Sequence, residues 1–237
     1  MTEWKARRFW TEARVERVSG GWTVELDGRP VRSPLKTLLV MPSRSLAQGV
    51  ADEWDAQVDV IDPLSMPLTR AVNAALDKVV PQRAEVAQHL AAYGESDLLC
   101  YRADSPDALA ERQAAAWDPW LDWMAAAHAA RLAVTTGVMP AAQPANAVSA
   151  IRVRVHRMTA WELTAFSEFV TLTGSLVLGL AVFEDRLPPE EAWTLSRVDE
   201  AWQIEQWGED ADEAERVARK RDDFLQARRY LDRLRAD

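Results

Sequence analysis

The sequence predicts an α+β fold: a small β-rich domain at the N-terminus, residues 1–42, followed by a larger all-helical domain, residues 43–237. Three observations carry this. Up to Met41 apolar residues alternate with polar ones at period two; from Ser43 onward they recur at spacings of three and four. The composition, 48% hydrophobic and 27% charged over 237 residues, is that of a globular chain long enough to bury a core unaided.

Each element has its own signal. Val15 and Val18 lead into Ser19-Gly20-Gly21, a turn; Trp22, Val24 and Leu26 then alternate with Thr23 and Glu25 up to Asp27-Gly28, a dipeptide suited to a tight hairpin. Val31 resumes the pattern before Pro34, and Leu38–Met41 reads as a closing strand stopped by Pro42, making four or five short strands. Ser43 or Ser45 can cap a helix with Leu46, Val50 and Trp54 on its buried face and Glu53, Asp55 and Gln57 on a solvated one. Ile61-Asp62-Pro63 breaks it, and helices follow over Pro67–Val80 and on to about Tyr93. Ser105-Pro106 opens a long helix toward Arg131, in which Asp118-Pro119 marks a kink or a break. After a loop from Gly137 to Asn146, further helices read as Ala147–Met158, Thr159–Phe183, Pro188–Trp207 and Glu209–Arg235.

Several function classes lose ground at once. With 28 Lys+Arg against 37 Asp+Glu, the net charge of -9 argues against nucleic acid and anionic membranes as partners. Cys100 stands alone, so no intramolecular disulfide forms; it reads as a small buried hydrophobe in a chain suited to a reducing compartment. The most apolar run, Gly174 to Phe183, is too short to span a bilayer, and no apolar segment follows Lys5, Arg7 and Arg8, so neither membrane insertion nor secretion is expected. The expected location is the cytoplasm. His89, His128 and His156 lack metal-ligand spacing, no glycine-rich phosphate loop occurs, and Gly174-Ser175 is not part of a nucleophile elbow. No catalytic, cofactor-binding or metal-binding residue is expected, and no cofactor.

The informative segment is Trp193 to Gly208. On one continuous helix, Leu195, Val198 and Trp202 form an apolar stripe, and Trp193, Ile204 and Trp207 form another on nearly the opposite side. Glu200 lies within the second stripe; Asp199 and Glu205 flank the first. Such a helix is either sandwiched between core layers or has one core face and one partner face. Acids beside tryptophan favour a partner, since aromatic anchors beside charges recur at interface hot spots. From Glu184 to Glu213 there are 11 acids and 2 bases, which accounts for the whole net charge of -9.

Seven segments then resemble, in order and spacing, the ATP synthase F-one sector assembly chaperone family, in the branch that attends the alpha subunit. They are Leu26-Asp27-Gly28-Arg29-Pro30, Glu53-Trp54-Asp55-Ala56-Gln57, Met66-Pro67-Leu68-Thr69-Arg70, Ser96-Asp97-Leu98-Leu99-Cys100-Tyr101-Arg102, Trp117-Asp118-Pro119, Gly174-Ser175-Leu176, and Gln203 with Trp207-Gly208. The resemblance implies a non-enzymatic bacterial chaperone, working as a monomer in the cytoplasm. It would bind the unassembled alpha subunit and shield the surface later covered by beta. It also implies a functional acid near Asp199. The expected partner-binding set is Trp193, Asp199, Glu200, Trp202, Gln203, Glu205 and Trp207. The competing readings are a carboxylate-dependent small-molecule enzyme with an interdomain cleft, and an acidic adaptor for another protein.

Overall fold

The computed structural model describes residues 7–236, so Lys5 of the charged N-terminal stretch lies outside it. Both turn signals are realised. Strands β1 (Ala13–Val18), β2 (Gly21–Leu26) and β3 (Arg29–Pro30) form an antiparallel sheet in that order, with Val15 opposite Val24 and Leu26 opposite Arg29. Asp27 (φ 48°) and Gly28 (φ 77°) supply the two left-handed positions that a two-residue hairpin needs. The Asp27 carboxylate also accepts the backbone N–H groups of Thr11 and Glu12 at 3.0 Å each, tying the turn to the incoming chain. Leu38–Met41, expected as a strand, makes only isolated bridges, Leu38 with Arg32 and Met41 with Trp22. Pro34 and Pro42 on either side withhold the donors that a longer ladder would use.

Helix α1 (Arg44–Asp55) is capped by Ser43, whose Oγ accepts the Leu46 N–H at 3.2 Å, and it packs on β1 and β2 with Leu46, Ala47 and Val50 buried. Trp54 is half-buried, edge-on to Trp10 with ring centroids 5.2 Å apart. Of its neighbours, Asp55 is exposed as the sequence predicts, but Gln57 and Glu53 are not part of a solvated face. Gln57 is buried, accepting the Asp62 N–H at 2.7 Å and donating to Ser65 Oγ at 3.0 Å. Glu53 accepts from the Leu68 N–H (2.7 Å), the Thr69 N–H (2.8 Å) and the Thr69 hydroxyl (2.7 Å). These two amides open helix α2 (Pro67–Ala74), whose own N-cap, Met66, offers no side-chain acceptor. A glutamate from the preceding helix therefore does the capping, and α2 runs on into a π-helical turn at Ala75–Val79. Burial pushes the Glu53 carboxyl above the ordinary carboxylate range, and its three donors pull it back. Glu53→Ala is expected to cost about 2–3 kcal/mol, from stranded amides and a lost charge at a helix N-terminus. Urea denaturation checks this; a loss under about 1 kcal/mol would remove Glu53 from that role.

Two compact units result. The first runs through Gln82 and takes in Ala160–Ala165 and the chain from Gln226; the second comprises Arg83–Thr159 and Phe166–Leu225. Residues 43–82, read from sequence as the start of the helical domain, thus sit with the strands, because α1 packs on them.

The remaining elements are mostly helical: α3 (Arg83–Ala92), β4 (Tyr101–Arg102), α4 (Asp107–His128), β5 (Thr135–Thr136), α5 (Ala145–His156), α6 (Ala160–Thr173), α7 (Leu176–Phe183), α8 (Pro189–Leu195), α9 (Val198–Trp207) and α10 (Ala211–Arg235). β4 and β5 are a two-residue parallel pair. Helices α6 and α10 contribute residues to both units. Within the second, α3 packs on α5, α7 on α4 and α8, and α9 on α4. The apolar run Leu176–Phe183 is buried throughout. Among the described residues no helix is long and apolar enough to cross a membrane.

Three helix boundaries differ from expectation, each for a local reason. The helix expected over Thr159–Phe183 divides at Gly174 (φ 68°), after which Ser175 Oγ accepts the Leu178 N–H at 3.0 Å and starts α7. The helix expected over Pro188–Trp207 divides at Ser196, whose hydroxyl donates to the Trp193 carbonyl at 2.7 Å. By contrast, α4 continues through Pro119, despite a cost of roughly 3 kcal/mol for proline in a helix interior. Tertiary anchors on Trp117 and Asp118 hold it there.

Candidate functional site

A buried carboxylate organises the second unit. Asp97 is fully buried and accepts from the Leu99 N–H (3.0 Å), the Ser175 hydroxyl (2.8 Å) and the Val177 N–H (3.0 Å). It caps the turn Leu98–Cys100 and at the same time sits at the N-terminus of α7, where the helix dipole favours negative charge. Burial pushes its carboxyl above the ordinary range, and the surrounding donors oppose that shift. Cys100 beside it is buried and its thiol is pushed up to about 12 by burial, so it is a packing residue.

From this hub the contacts run outward to α9. Arg102, itself buried, donates to the Leu99 carbonyl at 2.5 Å, pairs with Asp118 at 2.5 Å and lies 5.2 Å over the Trp117 ring. The Trp117 indole N–H donates to the Leu195 carbonyl at 2.8 Å, filling an acceptor left by the end of α8. Three segments separated by up to 80 residues, Ser96–Arg102, Trp117–Pro119 and Gly174–Leu176, therefore form one network that reaches the end of α8 through Trp117.

The face of α9 turned to α4 is stitched at three points. Gln113, buried, accepts the Ala103 N–H at 2.7 Å through Oε1 and donates through Nε2 to Asp199 at 2.6 Å. Arg112 donates to both oxygens of Glu205, at 2.7 and 2.9 Å, and its guanidinium lies 4.9 Å over the Trp202 ring. The Arg112 hydrogen bonds hold the exposed Glu205 carboxyl below the ordinary range. Asp199, Trp202 and Glu205, spaced by three, thus face the supporting helix.

The seven residues expected to bind a partner divide into three groups. Asp199, Trp202 and Glu205 form the α4 seam. Glu200, Gln203 and Trp207 lie on the outward face, with Glu200 paired to Arg197 at 2.9 Å. Trp193 belongs to α8 and is buried, its ring 5.8 Å from that of Phe224. It does not share a face with Trp207, because the break at Ser196 interrupts the wheel on which the two align. Ile204, outside that set of seven, joins the outward face at 44% exposure, and Trp207 is 78% exposed. Arg112 and Gln113 escaped the sequence reading, because nothing local to α4 reveals that Glu205 and Asp199 meet it.

Carboxylates also gather on the strand module. In the first unit Glu12, Glu16, Glu25 and Asp27 surround Arg14 in a depression of ≈230 Å³. Arg14 pairs with Glu12 at 2.6 Å and Asp27 holds backbone amides, so these two carboxylates are engaged in structural bonds rather than set for acid–base work.

Comparison with known proteins accords with this architecture. The family model of the ATP12 chaperone protein matches residues 7–125. The chain is 25% identical over 221 residues to the mitochondrial protein atp12 of Schizosaccharomyces pombe, covering 87% of this chain and 76% of that one. It superposes with a TM-score of 0.95 on Atp12 from Paracoccus denitrificans, at 44% identity over 98% of this chain and 100% of the other. An aspartate-to-lysine mutant of that Paracoccus protein superposes equally well, with a TM-score of 0.95 and 44% identity over 99% of this chain and 100% of the other.

Proposed function

Because the chain belongs to the ATP12 chaperone family, we propose that it assists assembly of the ATP synthase catalytic sector by holding the unassembled alpha subunit. Bound there, it shields the surface that the beta subunit later covers. It is a chaperone and not an enzyme. In this reading it works in the cytoplasm as a monomer and needs no cofactor. The outward face of α9 is the contact, with Trp207 and Ile204 as apolar anchors and Glu200 and Gln203 beside them.

The observation that supports this face is its division of labour. One side of α9 is held rigidly to α4 by Gln113 and Arg112. The other leaves a tryptophan and an isoleucine uncovered, followed in sequence by the acids Glu209, Asp210, Asp212 and Glu213. A preorganised aromatic costs little entropy to bind, while surrounding charge mainly sets association rate and salt dependence.

The test is titration of purified alpha subunit with the chaperone, by calorimetry, at two salt concentrations. Wild type is expected to bind, with weaker affinity at the higher salt. Asp199→Lys replaces the acceptor of Gln113 by a second donor, loosening α9 from α4 and reversing a charge at the seam. It should weaken capture at least tenfold and lower the melting temperature by a few degrees. Asp199→Asn keeps an accepting oxygen and should retain most of the binding. Equal affinity of Asp199→Lys and wild type would sink the assignment of this helix, and absence of wild-type binding would sink the function.

A further inference from the structure

The two ends of α9 are held by different means. At its start Val198 is buried and Asp199 accepts from the buried Gln113 at 2.6 Å. From Gln203 to Trp207 every residue is exposed. Among the described residues, the side-chain hydrogen bonds, ion pairs and ring contacts of Trp202–Trp207 all go to one group, the Arg112 guanidinium. The far end is not fixed by packing either. Gly208 has φ 86° and ψ 169°, a backbone region that only glycine occupies readily, and a Cβ added there would meet nothing within 4 Å. Glu209–Glu213 beyond it are exposed as well.

Arg112 is suited to holding that outer half alone. Its planar fork meets both Glu205 oxygens, at 2.7 and 2.9 Å, while its face lies 4.9 Å over Trp202, so two positions three residues apart are fixed at once. An isolated exposed ion pair adds little to the stability of a fold. A bidentate pair stacked on an indole nevertheless sets the direction of a helix as well as its distance. Ile204 and Trp207 lie on nearly the opposite side of α9 from Trp202 and Glu205, at the same spacing of three. Whatever fixes the inner pair therefore aims the outer pair.

We propose that Arg112 is a positioning residue for client capture: it holds the outer half of α9 so that Ile204 and Trp207 stand in the orientation that the client engages, without itself touching the client. This rests on the α9 contact proposed above and adds what keeps that contact ready. A face that is in its docking orientation only part of the time binds with its affinity reduced by that fraction. Loss of Arg112 thus weakens capture through the free chaperone, before any contact is made.

The experiment uses the full chain and purified alpha subunit, with Arg112→Ala, Arg112→Lys, Glu205→Ala, the Arg112→Ala/Glu205→Ala double variant and Trp207→Ser. Association and dissociation rates, melting curves and amide hydrogen exchange are measured for each. Arg112→Ala is expected to melt close to wild type and to exchange faster over residues 201–207 only. Its dissociation constant should rise about tenfold, as for a face correctly oriented roughly a tenth of the time, with the loss in the association rate. Arg112→Lys keeps the charge without the fork and should fall between the two. The double variant should bind no more weakly than Arg112→Ala, because both substitutions release the same tether. Wild-type affinity of Arg112→Ala, with Trp207→Ser still weakened, overturns the positioning role and leaves the α9 contact standing. A loss confined to the dissociation rate, and additive with that of Glu205→Ala, places Arg112 against the client and overturns it too. A lowered melt with faster exchange throughout the second unit makes Arg112 a support of the fold, which is the third overturning result. No binding by wild type overturns the α9 contact and this proposal with it.

Discussion

Asp97→Ala is expected to destabilise the second unit by about 3–5 kcal/mol. The carboxylate answers three buried donors, the Leu99 and Val177 amides and the Ser175 hydroxyl. Each stranded buried donor costs about 1–3 kcal/mol, and loss of a helix or turn cap adds about 1 kcal/mol, with the sum reduced by relaxation. Against a typical total stability of about 5–15 kcal/mol, that loss brings the fold near its threshold. For a chain of this size it corresponds to a fall in melting temperature of about 10 °C. Asp97→Asn retains one accepting oxygen but turns an NH2 toward one of the donors, so roughly half the loss should remain. Chemical denaturation of both variants decides. A loss below about 1 kcal/mol for Asp97→Ala would mean that the meeting of the turn and α7 is held by packing alone.

That hub also shows what could be read in advance. The strand module, its two turns and the approximate extents of most helices were legible, because they rest on local signals: turn dipeptides, proline stops and apolar periodicity. The segments Ser96–Arg102, Trp117–Pro119 and Gly174–Leu176 were noticeable individually, yet their chemistry lies in one another. Asp97 meets Ser175 across 78 positions, and Arg102 meets Trp117 through its guanidinium face. Periodicity has no access to such pairings. The same limit applies to Glu53, whose carboxylate caps α2 from a neighbouring helix, and to the break at Ser196. A helical wheel assumes an unbroken ladder. It therefore aligned Trp193 with Trp207, where the fold sends the first inward and the second outward. What the wheel does capture is that Trp202 and Trp207 lie on different faces of α9, for which the α4 seam and the proposed client contact are separate jobs.

Trp207→Ser is the substitution expected to separate those jobs most sharply. At 78% exposure the side chain has little to lose on the folded side, so stability should change by no more than about 0.5 kcal/mol. If the outward face of α9 is the client contact, truncation removes its largest anchor. Buried hot-spot aromatics cost about 2–4 kcal/mol when truncated, which is about 30-fold or more in the dissociation constant. Because the lost group is uncharged, the salt dependence of binding should stay as in wild type, whereas Glu200→Gln should flatten it with a smaller loss of affinity. Calorimetric titration of alpha subunit at two salt concentrations, with a melting curve for each variant, reads all three quantities. A normal melt together with wild-type affinity for Trp207→Ser would exclude this tryptophan as an anchor. A lowered melt with lowered affinity would mean that Trp207 supports α9 from within. A normal melt, at least 30-fold weaker binding and an unchanged salt slope fit only an aromatic anchor held out in solvent until the client covers it.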